Sequence, residues 1–138
     1  MTKRHAVTSE TLERLRQIPG FTDLPKSTIE RIDAMSTEMT VPPGQLLTKE
    51  GTPGREAFVI VEGTAAFSKH GSPQIFLPPG SLVGELALLD GTPRAGDVVA
   101  VTQLKVLVLN PAEFASLSDD LGFSGWMHVQ ADEHHKPS

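Results

Sequence analysis

Gly84, Glu85 and Arg94 are the residues of this chain whose types and spacing bring chemistry to one place. A glycine lets backbone approach a ligand closely, because no Cβ holds it away. Glu85 to Leu89 is a short run of helix formers after that glycine, so the N–H groups of its first turn are expected to face an anion. Glu85 is an acceptor-only carboxylate at neutral pH, suited to a sugar hydroxyl and not to a phosphate. Asp90-Gly91-Thr92-Pro93 has the composition of a tight turn that would bring Arg94 back over the short helix. The planar guanidinium fork of Arg94 matches two phosphate oxygens at once. Together these residues ask for a polyol that carries an anion.

Gly84-Glu85-Leu86-Ala87 followed by Thr92-Pro93-Arg94-Ala95 resembles the phosphate-binding cassette of the cyclic nucleotide-binding domain family, in both halves and with the family's gap between them. The resemblance implies a site built from Val83, Gly84, Glu85, Leu86, Ala87, Arg94 and Ala95. It gives the cyclic phosphate to the Ala87 N–H and the Arg94 guanidinium, and the ribose 2′-hydroxyl to Glu85. It also implies cyclic AMP (cAMP) as the ligand in preference to cyclic GMP (cGMP), since cGMP-selective relatives tend to carry a threonine where Ala95 stands. Arg94→Ala is expected to lose ligand with little loss of folding. Gly96 and Asp97 depart from the family pattern, which usually has a small Ala or Ser and then Thr. If Asp97 reaches Arg94, it competes with phosphate for the same guanidinium. The resemblance makes Trp126 the candidate lid over the base, with Phe123 and Met127 as rivals; burial against the roll is the plainer reading of Trp126.

The surrounding chain has the pattern of a roll with helices at both ends. Leu12, Leu15 and Ile18 recur at three-residue spacing behind a candidate cap at Ser9, and this helix is expected to end at Pro19-Gly20. Ile29, Ile32 and Met35 repeat the pattern over Ser27 to Met35, with Pro25 as the start signal. Between Val41 and Leu109 short β-rich runs alternate with Gly/Pro turns about every 8 to 12 residues, as in a sandwich or barrel. Strands are expected at Gln45 to Lys49, Ala57 to Val61, Thr64 to Ser68, Gln74 to Leu77, Val98 to Val101 and Lys105 to Leu109. The fold class is therefore mainly β: a jelly-roll-like β-roll at about 36–109, N-terminal helices at about 9–35 and C-terminal helices at about 110–133, as one domain over 1–138. Gly44, Gly51, Gly63 and Gly80 fall where the family's roll turns its corners, and Ile18-Pro19-Gly20-Phe21 resembles its entry segment. The resemblance thus covers about Ile18 to Leu117. Asn110 before Pro111 reads as a cap for the last clear helix, whereas Gly122, Ser124 and Gly125 weaken any helix before Trp126.

Composition narrows the function classes. The 138 residues carry 12 Lys and Arg against 17 Asp and Glu, a formal charge of −5, with the basic residues scattered. Nucleic-acid binding is not expected from such a surface, and nothing after Leu109 resembles a helix-turn-helix. The chain has no cysteine, which suits a reducing cytoplasm, and it shows neither a signal-peptide pattern nor an apolar run of the ~20 residues needed to span a membrane. His134 and His135 sit in a polar tail, His5, His70 and His128 stand apart, and no nucleophile and base are spaced for catalysis. No metal, cofactor or enzymatic activity is expected. The reading is a stand-alone cyclic nucleotide sensor that moves its C-terminal helices and acts through a protein partner or a second copy. The rivals are an interaction scaffold that has lost the ligand and, with less support, a cupin-type enzyme.

Overall fold

The structure is a computed structural model that describes residues 13, 15–18, 21–22, 24–70, 72–84 and 93–127. The Ser9 cap, most of the first expected helix, the run 85–92 and the tail from His128 lie outside the described residues; residues 13, 15 and 16 are helical. Helix α1 is Lys26–Met35, with Pro25 as its N-cap and Ile29 and Ile32 buried. Eight strands follow: β1 Thr37–Val41, β2 Leu46–Thr48, β3 Ala57–Glu62, β4 Ala65–Ser68, β5 Ile75–Leu77, β6 Leu82–Val83, β7 Asp97–Ala100 and β8 Leu104–Leu109. Helix α2 is Pro111–Ser118, and residues 121–127 form a further helix, α3.

The strands make two four-stranded antiparallel sheets, ordered β1-β8-β3-β6 and β2-β7-β4-β5. Strand β3 shows why its sequence is an unbroken apolar run. Phe58 and Ile60 point between the sheets, into a core with Val41, Ala65, Val83, Val98, Leu104 and Val106. Ala57, Val59 and Val61 point the other way, onto a second core that the helices fill with Ile29, Ile32, Phe114, Leu117 and Phe123. A strand covered on both faces loses the period-two polar alternation of a half-exposed one. The expected β-roll with flanking helices is what the chain forms.

Two strands escaped the sequence reading. β1 is Thr-Glu-Met-Thr-Val, whose polar positions face solvent while its whole length pairs with β8 from Thr37↔Val108 to Val41↔Leu104. β6 has only two residues and exists because Val83 and Leu82 pair with Phe58 and Val59. Gly44, Gly51, Gly63 and Gly80 all have positive φ, in keeping with the corners expected there.

Helices follow the roll, as expected, with one local difference. Helix α2 begins with a capping box in which Asn110 Oδ1 accepts from the Glu113 N–H and Glu113 Oε1 accepts from the Asn110 N–H. The expected weakness at Gly122 to Gly125 is overruled, because residues 121–127 are helical. Asp120 caps this helix by accepting from the Phe123 N–H at 3.1 Å, and it also accepts from the Thr28 hydroxyl at 2.8 Å. A Cβ at Gly122 would stand 2.6 Å from Thr28 Oγ1 and 2.9 Å from Pro25 Cδ, so the glycine lets α3 lie against the start of α1. The cap and this close packing outweigh a propensity cost of about 1 kcal/mol per glycine.

Candidate functional site

Strand β6 runs through Val83 into Gly84, and the chain returns at Pro93 and Arg94 before entering β7. Val83 is buried in the inter-sheet core opposite Phe58. Gly84 has φ +86°. A Cβ there would run into Arg94 Nη1 and stand 2.9 Å from the Glu56 carbonyl oxygen. Glycine is required at this position on both counts, conformation and space. Glu85, Leu86 and Ala87 lie in the run 85–92, outside the described residues.

Arg94 is 8% exposed, low for a side chain that is nearly always at the surface. Its Nη1 donates to the Gly84 carbonyl oxygen at 3.1 Å and its Nη2 to the Glu56 carbonyl oxygen at 2.8 Å. The two bonds fix the plane and direction of the guanidinium fork. Its backbone is fixed as well: the Arg94 N–H donates to the Thr52 carbonyl at 2.8 Å, and the Gly51 N–H donates to the Arg94 carbonyl at 2.9 Å. The structure therefore brings Arg94 and Gly84 together as the spacing asks, and it adds Glu56 and the 51–52 loop as supports. Sequence reasoning missed these because the supports act through main-chain carbonyls, which carry no side-chain signal.

Downstream of Arg94 the chain is stitched to β2 and its following loop. The Thr48 hydroxyl donates to the Gly96 carbonyl at 2.9 Å. Asp97 Oδ1 accepts from the Glu50 N–H at 2.7 Å, so this carboxylate is turned toward the loop. Gly96 has a role that its departure from the family pattern did not reveal. A Cβ at that position would stand 2.5 Å from the Ser68 carbonyl oxygen and 2.8 Å from Cε1 and Cζ of Phe67, so the glycine makes room for both the β4 backbone and the ring. Phe67 is half-buried, and Ile75, its cross-strand partner on β5, is 43% exposed. An apolar surface thus lies two residues along from Arg94; the alternation of Ala65 and Phe67 in β4 was the sequence signal that could have found it. Ala95 is exposed beside it.

Trp126 takes the plainer of its two readings in this structure. It is 8% exposed in the helical core, edge-on to Phe21 at 5.4 Å between ring centroids and 5.9 Å from Phe123. Phe123 and Met127 are buried in the same core. The Trp126 indole N–H is buried without a hydrogen-bond partner among the described residues. A lid role would require this residue to leave its present packing.

A cleft of about 380 Å³ opens against Arg94 from the side of β2 and the loop after it, with Lys49, Thr52, Arg55 and Glu56 in its lining. Among the described residues no three His, Asp or Glu side chains converge as metal ligands, and no helix is long and apolar enough to cross a membrane.

Comparison with known proteins adds sequence and fold relatives. Residues 38–120 match the family profile described as cyclic nucleotide-binding domain. A cAMP-dependent protein kinase regulatory subunit of Pyricularia oryzae is 36% identical over 106 residues, covering 75% of this chain and 27% of the relative. A cyclic nucleotide-gated potassium channel of Mesorhizobium japonicum is 33% identical over 100 residues, covering 72% of this chain and 28% of the relative. The chain thus spans about a quarter of the length of these relatives. Among solved structures, PKAR CBD2 bound to Sp-2Cl-cAMPS superposes with a TM-score of 0.78 at 22% identity, covering 91% of this chain and 84% of that one. The regulatory subunit of a cAMP-independent protein kinase A from Trypanosoma brucei superposes with a TM-score of 0.75 at 21% identity, covering 93% of this chain and 46% of that one. At such identities the likeness is one of fold.

Proposed function

We propose, on the premise that this chain belongs to the cyclic nucleotide-binding domain family, that it binds cAMP through the Gly84 to Ala95 segment and serves as a sensor. The observation that carries the reading is Arg94: a buried guanidinium, oriented by two carbonyls, set over a glycine that has no room for a side chain. A cation fixed in that way has its reorganisation cost met before the anion arrives. In this reading the phosphate is held by Arg94 and the Ala87 N–H, and Glu85 takes the ribose 2′-hydroxyl. Val83, Gly84 and Leu86 shape the backbone around the ligand. The exposed Ala95 offers guanine no hydroxyl, which favours cAMP over cGMP.

A sensor needs two shapes that differ in affinity for the ligand. The moving part in this reading is the C-terminal segment, α2 and α3, with Trp126 as the candidate lid. Output passes to a protein partner or a second copy, in the cytoplasm, and no catalytic step is involved. A second reading is a scaffold that keeps the roll without the ligand; it is favoured by the occurrence of this fold in the regulatory subunit of a kinase described as cAMP-independent.

Calorimetric titration with cAMP, cGMP and AMP tests the proposal. Saturable binding of cAMP, weaker binding of cGMP and none of AMP is the expected result. Absence of heat with every nucleotide would replace the sensor with the scaffold. Ala95→Thr is expected to narrow the difference between cAMP and cGMP.

A further inference from the structure

We infer that the cleft beside Arg94 is a second anion site, taking a multiply charged oxyanion of the phosphate or pyrophosphate type, and that filling it opposes ligand binding at Gly84 to Ala95. The inference rests on Arg94 being the phosphate partner of that segment. It begins with charge. The chain carries −5 overall, yet the cleft is lined by Lys49, Arg55 and Arg94 against one carboxylate residue, Glu56, among the described residues. Lys49 and Arg55 are exposed, and neither side chain forms an ion pair or hydrogen bond among the described residues. Loose cations gathered at one opening of an acidic protein create a local positive potential that the net charge does not predict. Arg94 differs from them in being buried, so its charge is screened far less than theirs.

The volume of about 380 Å³ is in the range of small-molecule sites. The Thr48 and Thr52 hydroxyls also line the cleft, but their protons go to the Gly96 and Lys49 carbonyls, so they have no donor left for an anion. Recognition of an anion therefore falls to the cationic side chains of Lys49, Arg55 and Arg94.

Arg94 couples the two sites. It lines the cleft, and its Nη1 lies against Gly84, where the ligand segment begins. An oxyanion in the cleft lowers the positive potential that the nucleotide phosphate would meet. By linkage, the nucleotide lowers the affinity of the oxyanion by the same factor.

The test measures cAMP affinity of the full chain with and without saturating pyrophosphate, with ionic strength matched by sodium chloride. Pyrophosphate is expected to weaken cAMP binding about fivefold or more, the lower end of ordinary coupling between sites. In the Lys49→Gln/Arg55→Gln double variant the ratio of the two affinities is expected to fall to one. A ratio of one in the wild type overturns the inference. So does an unchanged ratio in the double variant, which would mean simple competition at Gly84 to Ala95. Should the wild type bind no cyclic nucleotide, the sensor reading fails, and the cleft is judged alone by pyrophosphate calorimetry. Heat abolished in the double variant then supports the anion site, and heat absent or unchanged overturns it.

Discussion

Arg94 lies across Gly84: its Nη1 donates to the Gly84 carbonyl oxygen at 3.1 Å, and a side chain on residue 84 would occupy the place of that same nitrogen. The two residues are ten apart in sequence and form one unit in space. Gly84→Ala is therefore expected to act on Arg94 as well as on the backbone. A non-glycine residue at φ +86° costs about 1–3 kcal/mol, and the displaced guanidinium adds to that. Thermal unfolding and cAMP titration should both register the loss; a variant with wild-type melting temperature would show that Arg94 is not confined by residue 84.

Arg94→Ala is expected to weaken cAMP binding by about 1.5–3 kcal/mol, the range for hydrogen bonds to a charged group. The sequence reading foresaw little loss of folding. Burial changes that, because the carbonyls of Gly84 and Glu56 would lose their donor. A stability loss of about 1–3 kcal/mol is expected beside the loss of affinity. Denaturant unfolding separates the two effects when binding is measured where the variant remains folded.

Gly96→Ala should be strained, because the new methyl would stand 2.5 Å from the Ser68 carbonyl oxygen and 2.8 Å from Cε1 and Cζ of the Phe67 ring. Overpacking of this kind costs about 1–3 kcal/mol. Phe67→Leu in the same chain should recover part of it, so a double-mutant cycle is expected to give a coupling above about 0.5 kcal/mol. Additivity would mean that the Ser68 carbonyl, not the ring, sets the cost.

Asp120 joins α3 to α1. Burial pushes its carboxyl up, but the Thr28 hydroxyl, the Phe123 N–H, Arg31 and the Gly122 N–H together bring it below the usual carboxylate value. A carboxyl depressed in the folded state contributes stability that is complete above its unfolded pKa and is lost as the pH falls through the folded value. Asp120→Asn should therefore be less stable than wild type by a constant amount at neutral pH. The gap should begin to narrow as the pH falls below about 3.9 and close only below the depressed folded value. Equal stabilities at pH 7 would remove Asp120 from the account.

Trp126 reports on the C-terminal segment, since no other tryptophan or tyrosine is present. In the packing described its emission should be that of a buried indole, and a red shift on saturating cAMP, absent in Arg94→Ala, would mark its departure from Phe21 and Phe123. Removing residues after Asp120 is not a clean test of the lid, because Phe123, Trp126 and Met127 are core residues. Trp126→Ala alone is expected to cost about 3–5 kcal/mol. Trp126→Phe keeps most of the packing, so unchanged cAMP affinity in that variant would take the indole out of ligand binding.

The β-roll and the meeting of Gly84 with Arg94 were legible in the sequence because both depend on local chemistry. Turn glycines punctuate short apolar runs, and Gly84, Pro93 and Arg94 are types that a turn and an anion require in any context. Helix α2 was legible for the same reason, through Asn110 and Pro111. Tertiary structure decided what neighbours in space supply. It made a strand of the polar Thr37–Val41 segment by pairing it with β8. It turned Gly122 from a helix weakness into a packing contact with Pro25 and Thr28. It faced Asp97 toward the Glu50 N–H and set Phe67 against Gly96. It also fixed Arg94 through the Glu56 and Gly84 carbonyls. Main-chain groups are identical at every residue, so a sequence cannot say which of them a side chain will meet until the fold brings them together.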